Sequence, residues 1–230
     1  MIGSSVGRRR LGVSLVLFLI GCTSKDAESD LVGGTSNPPE SDLGARLKEH
    51  VTQLTDIRPP RNHENPESLQ RVASYIQDKF EAAGLAVREQ PFQVGSQTFT
   101  NVTGLLGSET SDRVVIGAHY DVSGPHPGAD DNASGVAVLI ELADQLKGEK
   151  VERAIELVAY CLEEPPFFGS ADMGSAHHAR DLQKRGVSVR AMISLEMVGY
   201  FSDEEGRQKF PMPEMRERYP SKGNFIAVIG

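Results

Sequence analysis

The stretch GAHYDVSGPHPGADDNASG, residues 117–135, separates an apolar run, RVVIGA at 113–118, from the helical run VAVLIELADQL. The apolar run predicts a short strand, and the run that follows the stretch predicts a helix. Four side chains in the stretch have types suited to chemistry: His119, Asp121, Asp130 and Asp131. An imidazole with an acid two residues away, followed by adjacent carboxylates, indicates a functional loop. A simpler alternative for its second half is that Asp131 or Asn132 only caps the helix.

The order of apolar patterns around this loop predicts the fold. Residues 113–197 contain strand, helix, strand, helix and strand in turn, which is typical of parallel strands with helices on both faces. Two amphipathic helices precede them, and two strands at 85–94 and 98–107 predict an antiparallel pair. We therefore expect an α/β fold with a mixed, mostly parallel sheet flanked by helices on both faces.

Acidic residues follow each of the three predicted parallel strands. His119 and Asp121 follow the first, Glu163 and Glu164 follow the second, and Glu196 ends the third. Because functional sites in such sheets lie at the carboxyl ends of the strands, we expect these side chains to meet at one edge. Like charges repel there unless protons or cations neutralise them, so the pattern favours a site for divalent metal ions.

The residue types suggest how such a site would work. Neutral imidazole and carboxylate oxygens suit zinc, and Asp121 could accept a hydrogen bond from the second ring nitrogen of His119. A carboxylate such as Asp130 can bridge two ions about 3.5–4 Å apart. Of the adjacent Glu163 and Glu164, one could bind metal while the other transfers a proton as a general base and acid.

The segments HYD, GADDNASG, LEEPPFFGSADMGSAHHA and SLEMVGY, taken together, resemble the zinc-dependent exopeptidases of family M28, the aminopeptidase family, over about residues 43–230. The resemblance implies an enzyme that hydrolyses N-terminal residues from peptides with two zinc ions. It implies metal ligands at four positions: His119, Asp130 as the bridge between both ions, Glu164 and Glu196. It further implies that Glu163 is the general base, and that the peptide bond between Asp130 and Asp131 is cis. Many members have Asp where this chain has Glu196.

The resemblance also implies one more histidine ligand far downstream. No His occurs after His178 in the 230 residues, so we expect a domain incomplete at its C-terminus, with one well-formed metal site and one incomplete site. His177 and His178 fall on a predicted surface helix and are not expected to bind metal. Two alternatives remain open: a glutaminyl-cyclase-like enzyme on the same fold, and an inactive or fragmentary M28 homologue.

The N-terminal residues resemble an export signal. Three arginines at 8–10 precede an apolar run at 11–21, which is too short to span a membrane comfortably, and the run ends in LIGC. This ending resembles the bacterial lipobox, so we predict a lipoprotein signal peptide at 1–22 with lipid on Cys22; an ordinary signal peptide with a chance cysteine is the alternative. Residues 23–40 then form a flexible tether and 41–230 the peptidase domain.

Charge and cysteine content restrict the partners and the compartment. The net charge is -8 and no Lys/Arg-rich run follows residue 10, so we expect peptide substrates and no nucleic acid. The predicted lipid would anchor the protein in the cell envelope, at a bacterial outer membrane or in the periplasm. The second of the two cysteines, Cys161, lies in an apolar run and is predicted to be a core residue without a disulfide partner.

Overall fold

A computed structural model of the protein describes residues 40–109, 112–210, 213–225 and 227–228. The predicted signal peptide, Cys22 and nearly all of the predicted tether lie outside these residues. Within them, the helices are α1 (Glu40–Thr55), α2 (Pro66–Ala82), α3 (Gly135–Gln145), α4 (Gly174–Lys184) and a short 3-10 helix (Pro213–Glu217). The strands are β1 (Ala86–Val94), β2 (Gln97–Leu106), β3 (Arg113–His119), β4 (Ala154–Tyr160) and β5 (Val189–Ser194). None of the described helices is long and apolar enough to span a membrane.

The five strands form one mixed sheet in the order β1-β2-β4-β3-β5. β3 lies between β4 and β5 and is parallel to both, with His119 opposite Tyr160 at the end of β4. β1 pairs with β2 and β2 pairs with β4 in antiparallel register. The predicted mixed sheet is confirmed, with β3, β4 and β5 parallel and the predicted antiparallel pair of β1 and β2 joined to the sheet beside β4.

Helices cover both faces of the sheet, as predicted. α1, α2 and α3 lie on one face, where α2 buries Leu69, Val72, Ile76 and Phe80 in the main core. Alternate residues of β4 point to the two faces, so Leu157 joins this core while Val158 packs with Leu182 of α4 on the other. The sheet therefore has the buried, two-sided packing that holds the ends of β3, β4 and β5 in a fixed relation.

The face under α4 also contains buried charge. Arg113, at the start of β3, donates to Glu156 Oε2 at 2.9 Å, and neither side chain is more than 3% exposed. His178 Nε2 lies 3.6 Å from the other oxygen of Glu156, and its Nδ1 lies 3.2 Å from the hydroxyl of Tyr160. The expected surface location of His178 is therefore wrong: its helix is amphipathic, and this residue lies on the buried face.

A buried asparagine joins the end of β4 to the start of α4. Asn101 of β2 accepts a hydrogen bond from the amide of Cys161 at 3.0 Å and donates to the carbonyl of Gly174 at 2.8 Å. Cys161 is fully buried, as predicted for a core residue, and burial raises the pKa of its thiol. The two hydrogen bonds of Asn101 therefore fix both ends of the segment that carries Glu163 and Glu164.

We predict opposite effects of a Gly→Ala change at two helical positions. A Cβ on Gly174 would overlap Asn101 Oδ1 and the backbone of Cys161, so Gly174→Ala should lower the free energy of unfolding by about 1–3 kcal/mol. Gly44 in α1 has no atom within 4 Å of an added Cβ, so Gly44→Ala should raise it by about 0.5–1 kcal/mol. Urea unfolding of the two variants measures both changes in the free energy of unfolding. Equal changes would contradict the close packing of Gly174 against Asn101 and Cys161.

Candidate metal centre

His119 lies at the end of β3, is only 3% exposed, and has its Nε2 atom facing carboxylates from three other segments. Oxygen atoms of Asp131, Glu196 and Glu163 lie 3.1, 3.4 and 3.7 Å from this nitrogen. Among the described residues, two groups have donor atoms close enough to share an ion: His119 with Asp131 and Glu196, and His119 with Glu163 and Glu164. The structure therefore brings the residues from the three strand ends together, as the sequence predicted.

The polar atoms of this cluster fit a metal ion. Both ring nitrogens of His119 and Oδ1 of Asp131 are buried and have no hydrogen-bond partner among the described residues. Buried polar atoms are normally paired, so such atoms need an explanation. Two ligands at about 2 Å from a tetrahedral zinc ion are about 3.3 Å apart, close to the 3.1 Å and 3.4 Å separations that surround Nε2. The donor types and their spacing therefore suit a zinc-like cation.

The structure corrects the prediction for Asp130. Its side chain lies outside both donor groups, and its Oδ1 accepts a hydrogen bond from the amide of Gly199 at 2.8 Å. Asp131, the next residue, occupies the position beside His119 that was expected for Asp130. The expected cis peptide is displaced in the same way: it joins Asp131 to Asn132 and not Asp130 to Asp131.

Local backbone geometry explains this shift by one residue. Asp130, Asp131 and Asn132 belong to an irregular turn, Ala129–Ser134, between the loop and α3. Asp131 has φ −102° and ψ 96°, and Asn132 has φ −131° and ψ 40°, so both leave the helical region. Neighbouring side chains therefore project in different directions, and only that of Asp131 points at His119.

Asp121 is buried and connects β3 to the segment after β4. Its Oδ1 lies 3.5 Å from Nδ1 of His119, a long contact, so the predicted hydrogen bond that orients the imidazole stays a prediction. Its two carboxylate oxygens also accept hydrogen bonds from the amides of Glu163 and Glu164, at 3.0 and 3.1 Å. Sequence patterns missed this second contact, because nothing in His-x-Asp indicates a partner more than 40 residues away.

Asn132 makes the hydrogen bond expected of a helix cap and also contacts the end of β5. Its Oδ1 accepts from the amide of Gly135 at 3.1 Å, as a cap would. Its Nδ2 donates to the carbonyl of Leu195 at 2.8 Å and lies 3.2 Å from Oε2 of Glu196. The fully buried Asn132 thus ties the start of α3 to the end of β5 and to Glu196.

Two residues beside the acidic cluster have a left-handed backbone. Leu162, which precedes Glu163, has φ 60°, and Met197, which follows Glu196, has φ 49°. They are the non-glycine residues with positive φ in the described part of the chain. This conformation costs an L-residue about 1–2 kcal/mol and is concentrated at functional sites, where the surrounding structure enforces it.

The crowded acids shift one another's proton affinities. Burial raises the pKa of Glu163 to about 7, against the opposing effect of His119, and burial together with the charge of Asp131 raises the pKa of Glu164. Burial opposes protonation of His119, but its acidic neighbours, Asp121 foremost, outweigh it and raise the pKa of the ring well above its ordinary value. The contact with His119 lowers the pKa of Asp131. Positive charge is therefore strongly favoured at the centre of the cluster.

The other described histidines lie away from the cluster. His177 stacks on Phe92 with ring centroids 4.3 Å apart, and His50 contacts Glu141 and Tyr75 between the helices. His63 packs edge-on against a phenylalanine, and His126 is exposed in its loop. Neither donor group includes any of them.

Two relatives and one structural neighbour, among further matches, show what the chain is similar to. The uncharacterized protein YfbL of Escherichia coli (strain K12) is 39% identical over 207 aligned residues, which cover 86% of this chain and 63% of that protein. Aminopeptidase YwaD of Bacillus subtilis (strain 168) is 32% identical over 107 residues, 45% of this chain and 23% of that protein. The chain thus spans less than two-thirds of the length of both relatives.

One structural neighbour is the glutaminyl cyclase of Bacteroides thetaiotaomicron, solved bound to N-acetylhistamine. It matches with a TM-score of 0.58 and 24% identity over 74% of this chain and 65% of that chain. At this identity the likeness establishes a shared fold only. The five-stranded α/β sheet flanked by helices is therefore an architecture already known from solved enzymes.

The family model described as Peptidase family M28 matches residues 101–216, which include every member of both donor groups. The match begins in β2 and ends in the short 3-10 helix, so it covers the three parallel strands and the turn that carries Asp131. With the fold and the donor groups consistent with this match, the chain belongs to peptidase family M28.

Proposed function

We propose that this protein is a zinc-dependent exopeptidase that removes N-terminal residues from peptides. The observation that carries the proposal is the convergence of carboxylates from three segments on the buried Nε2 of His119. Membership of family M28 and the similarity to aminopeptidase YwaD support peptide hydrolysis as the reaction.

In this proposal His119, Asp131 and Glu196 would hold one zinc ion, and Glu164 together with Asp131 would hold a second. Zinc suits one imidazole and several carboxylate oxygens. Asp131 is adjacent to both groups, because it contacts His119 and its charge acts on Glu164. It replaces Asp130 as the proposed bridging residue.

A bound zinc ion supplies Lewis acidity, which polarises a carbonyl and lowers the pKa of a water molecule. Glu163 is the proposed general base: it accepts a proton from the attacking water and delivers it to the nitrogen of the leaving amine as the C–N bond breaks. Its backbone amide donates to Asp121, and its side chain is 27% exposed. The backbone of Glu163 is therefore fixed, while its carboxylate is accessible from solvent. Asp121 and Asn132 position the site without touching substrate.

A glutaminyl-cyclase-like reaction is the second candidate, because the fold matches a glutaminyl cyclase. The two reactions give different products from a peptide with N-terminal glutamine. Hydrolysis releases free glutamine and shortens the peptide by one residue. Cyclisation releases ammonia and converts the N-terminal glutamine into a pyroglutamyl residue, so the peptide keeps its length. Mass spectrometry of the products separates them, and a metal-loaded protein that gives neither product would favour a non-catalytic M28 homologue.

The metal assignment predicts different behaviour for two adjacent aspartates. Asp131→Asn should weaken zinc binding by at least about 100-fold, since it removes a charged ligand. Asp130→Asn should weaken binding by less than about threefold, because an amide oxygen can still accept the hydrogen bond from Gly199. Competition with a chromophoric chelator measures both affinities, and a larger loss for Asp130→Asn would restore Asp130 as the ligand.

The role of Glu163 predicts loss of rate without loss of metal. Glu163→Gln should lower kcat for an aminoacyl p-nitroanilide by about 10²–10⁴-fold. Zinc content, measured by elemental analysis, should match that of the unchanged protein. Glu204→Gln, at an exposed site where the acid pairs with Arg207, is the control and should leave kcat unchanged. Full activity of Glu163→Gln would remove Glu163 from the mechanism.

We also propose that the protein is exported and anchored to the cell envelope by lipid on Cys22. Support comes from the basic start, the apolar run and the LIGC ending of residues 1–22. Cys22→Ser should move the protein from the membrane to the soluble fraction of expressing bacteria, as followed by fractionation and immunoblotting. Retention of the variant in the membrane would contradict lipid anchoring.

A further inference from the structure

Arg61 is a buried cation, 2% exposed, in the connection between α1 and α2. Among the described residues, its guanidinium group donates to four backbone carbonyls and to no side chain. Nε donates to Tyr120 at 2.8 Å, Nη2 to Gly128 at 2.7 Å, and Nη1 to Pro127 at 2.5 Å and Leu54 at 3.2 Å. Its own carbonyl accepts from the amide of Val122 at 3.1 Å.

Three of these four acceptors lie at the two ends of one loop. Tyr120 directly follows His119, whereas Pro127 and Gly128 come just before the turn that contains Asp131. One rigid planar group thus binds both ends of the loop that joins His119 to Asp131. Leu54 adds the end of α1, so the loop is also fixed to the helical layer.

The fit around the guanidinium is tight at Gly128. This residue has φ 59°, in the left-handed region, and a Cβ there would lie 2.9 Å from Nη2 of Arg61 and would overlap the carbonyl oxygen of Asp131. Glycine therefore allows the backbone to approach Arg61 at the point where the chain turns toward Asp131. The left-handed glycine and the arginine are two parts of one arrangement.

Lysine could not reproduce these contacts. Its single nitrogen is a point donor, whereas the planar fork of arginine reaches acceptors on different sides at once. Burying a cation among carbonyls is costly unless nearby anions compensate. Burial lowers the pKa of Arg61 to about 10, and the charges of Asp121 and Asp131 act in the opposite direction and offset part of that effect.

We infer that Arg61 is a positioning residue that sets the separation of His119 and Asp131 by binding both ends of the loop between them. The separation of 3.1 Å is thereby arranged in advance for a shared cation. The identity of that cation rests on the proposed function, but the positioning of the loop does not.

The test compares the same substitution at two buried arginines, one near each end of β3. Arg61→Lys removes the guanidinium group near the acids that surround His119. Arg113→Lys removes the guanidinium group at the opposite end of β3, where Arg113 is fully buried against Glu156. Arg61→Lys should weaken zinc binding by about 10–100-fold, in the range for residues that orient ligands. In chelator-treated protein it should also speed amide hydrogen exchange in residues 120–134 by at least about tenfold. Arg113→Lys should do neither.

Equal zinc affinity and equal exchange in the two variants would overturn the inference. If the unchanged protein binds no zinc, the proposed function fails, while the exchange of residues 120–134 still decides whether Arg61 holds the loop. Arg61→Gln is the second variant, with the same expected effects. Failure of both Arg61 variants to fold where Arg113→Lys folds would also overturn the inference, because Arg61 would then serve the fold as a whole.

Discussion

The close approach of carboxylates to one buried imidazole is the constraint on which the rest of the site depends. His119 has almost no contact with water, and acids from three other segments lie within 3.7 Å of its Nε2 atom. Such an arrangement repels itself unless positive charge is present. The fold must therefore hold the acids in place against their repulsion, and the surrounding contacts can be understood as the means of doing so.

Those contacts share one design, in which a buried polar side chain binds the backbone of a distant segment. Asp121 binds the amides of Glu163 and Glu164, Asn132 binds the carbonyl of Leu195, and Arg61 binds the loop before Asp131. Each contact holds the backbone beside a cluster acid, and Asn132 also donates to Oε2 of Glu196. Oδ1 of Asp131 and Oε1 of Glu196 still face Nε2 of His119, which suits a preorganised metal site.

The sequence predicted the parts of this site that follow from strand order. Parallel strands deliver the residues after them to one edge, so His119, Glu163 and Glu196 could be placed together from periodicity alone. The position of the antiparallel pair beside β4 did not follow from the sequence, because a strand pattern does not reveal which strand it pairs with. Arg61 was missed for a related reason: a guanidinium group bound to carbonyls has no sequence signature, and the acceptors are recognisable only when the chain is folded.

Asp131, and not the predicted Asp130, lies beside His119, and this difference shows where sequence spacing no longer predicts side-chain direction. In a regular helix or strand, position along the chain determines the side-chain direction, and an adjacent pair can be assigned from periodicity. The turn before α3 is neither, since Asp131 and Asn132 leave helical geometry. The two aspartates therefore have different contacts, because Asp131 faces His119 whereas Asp130 binds the amide of Gly199 in the loop after Glu196. The two acids are adjacent in the sequence but contact different parts of the structure. Together they link the end of β3, through His119, to the loop after β5, through Gly199.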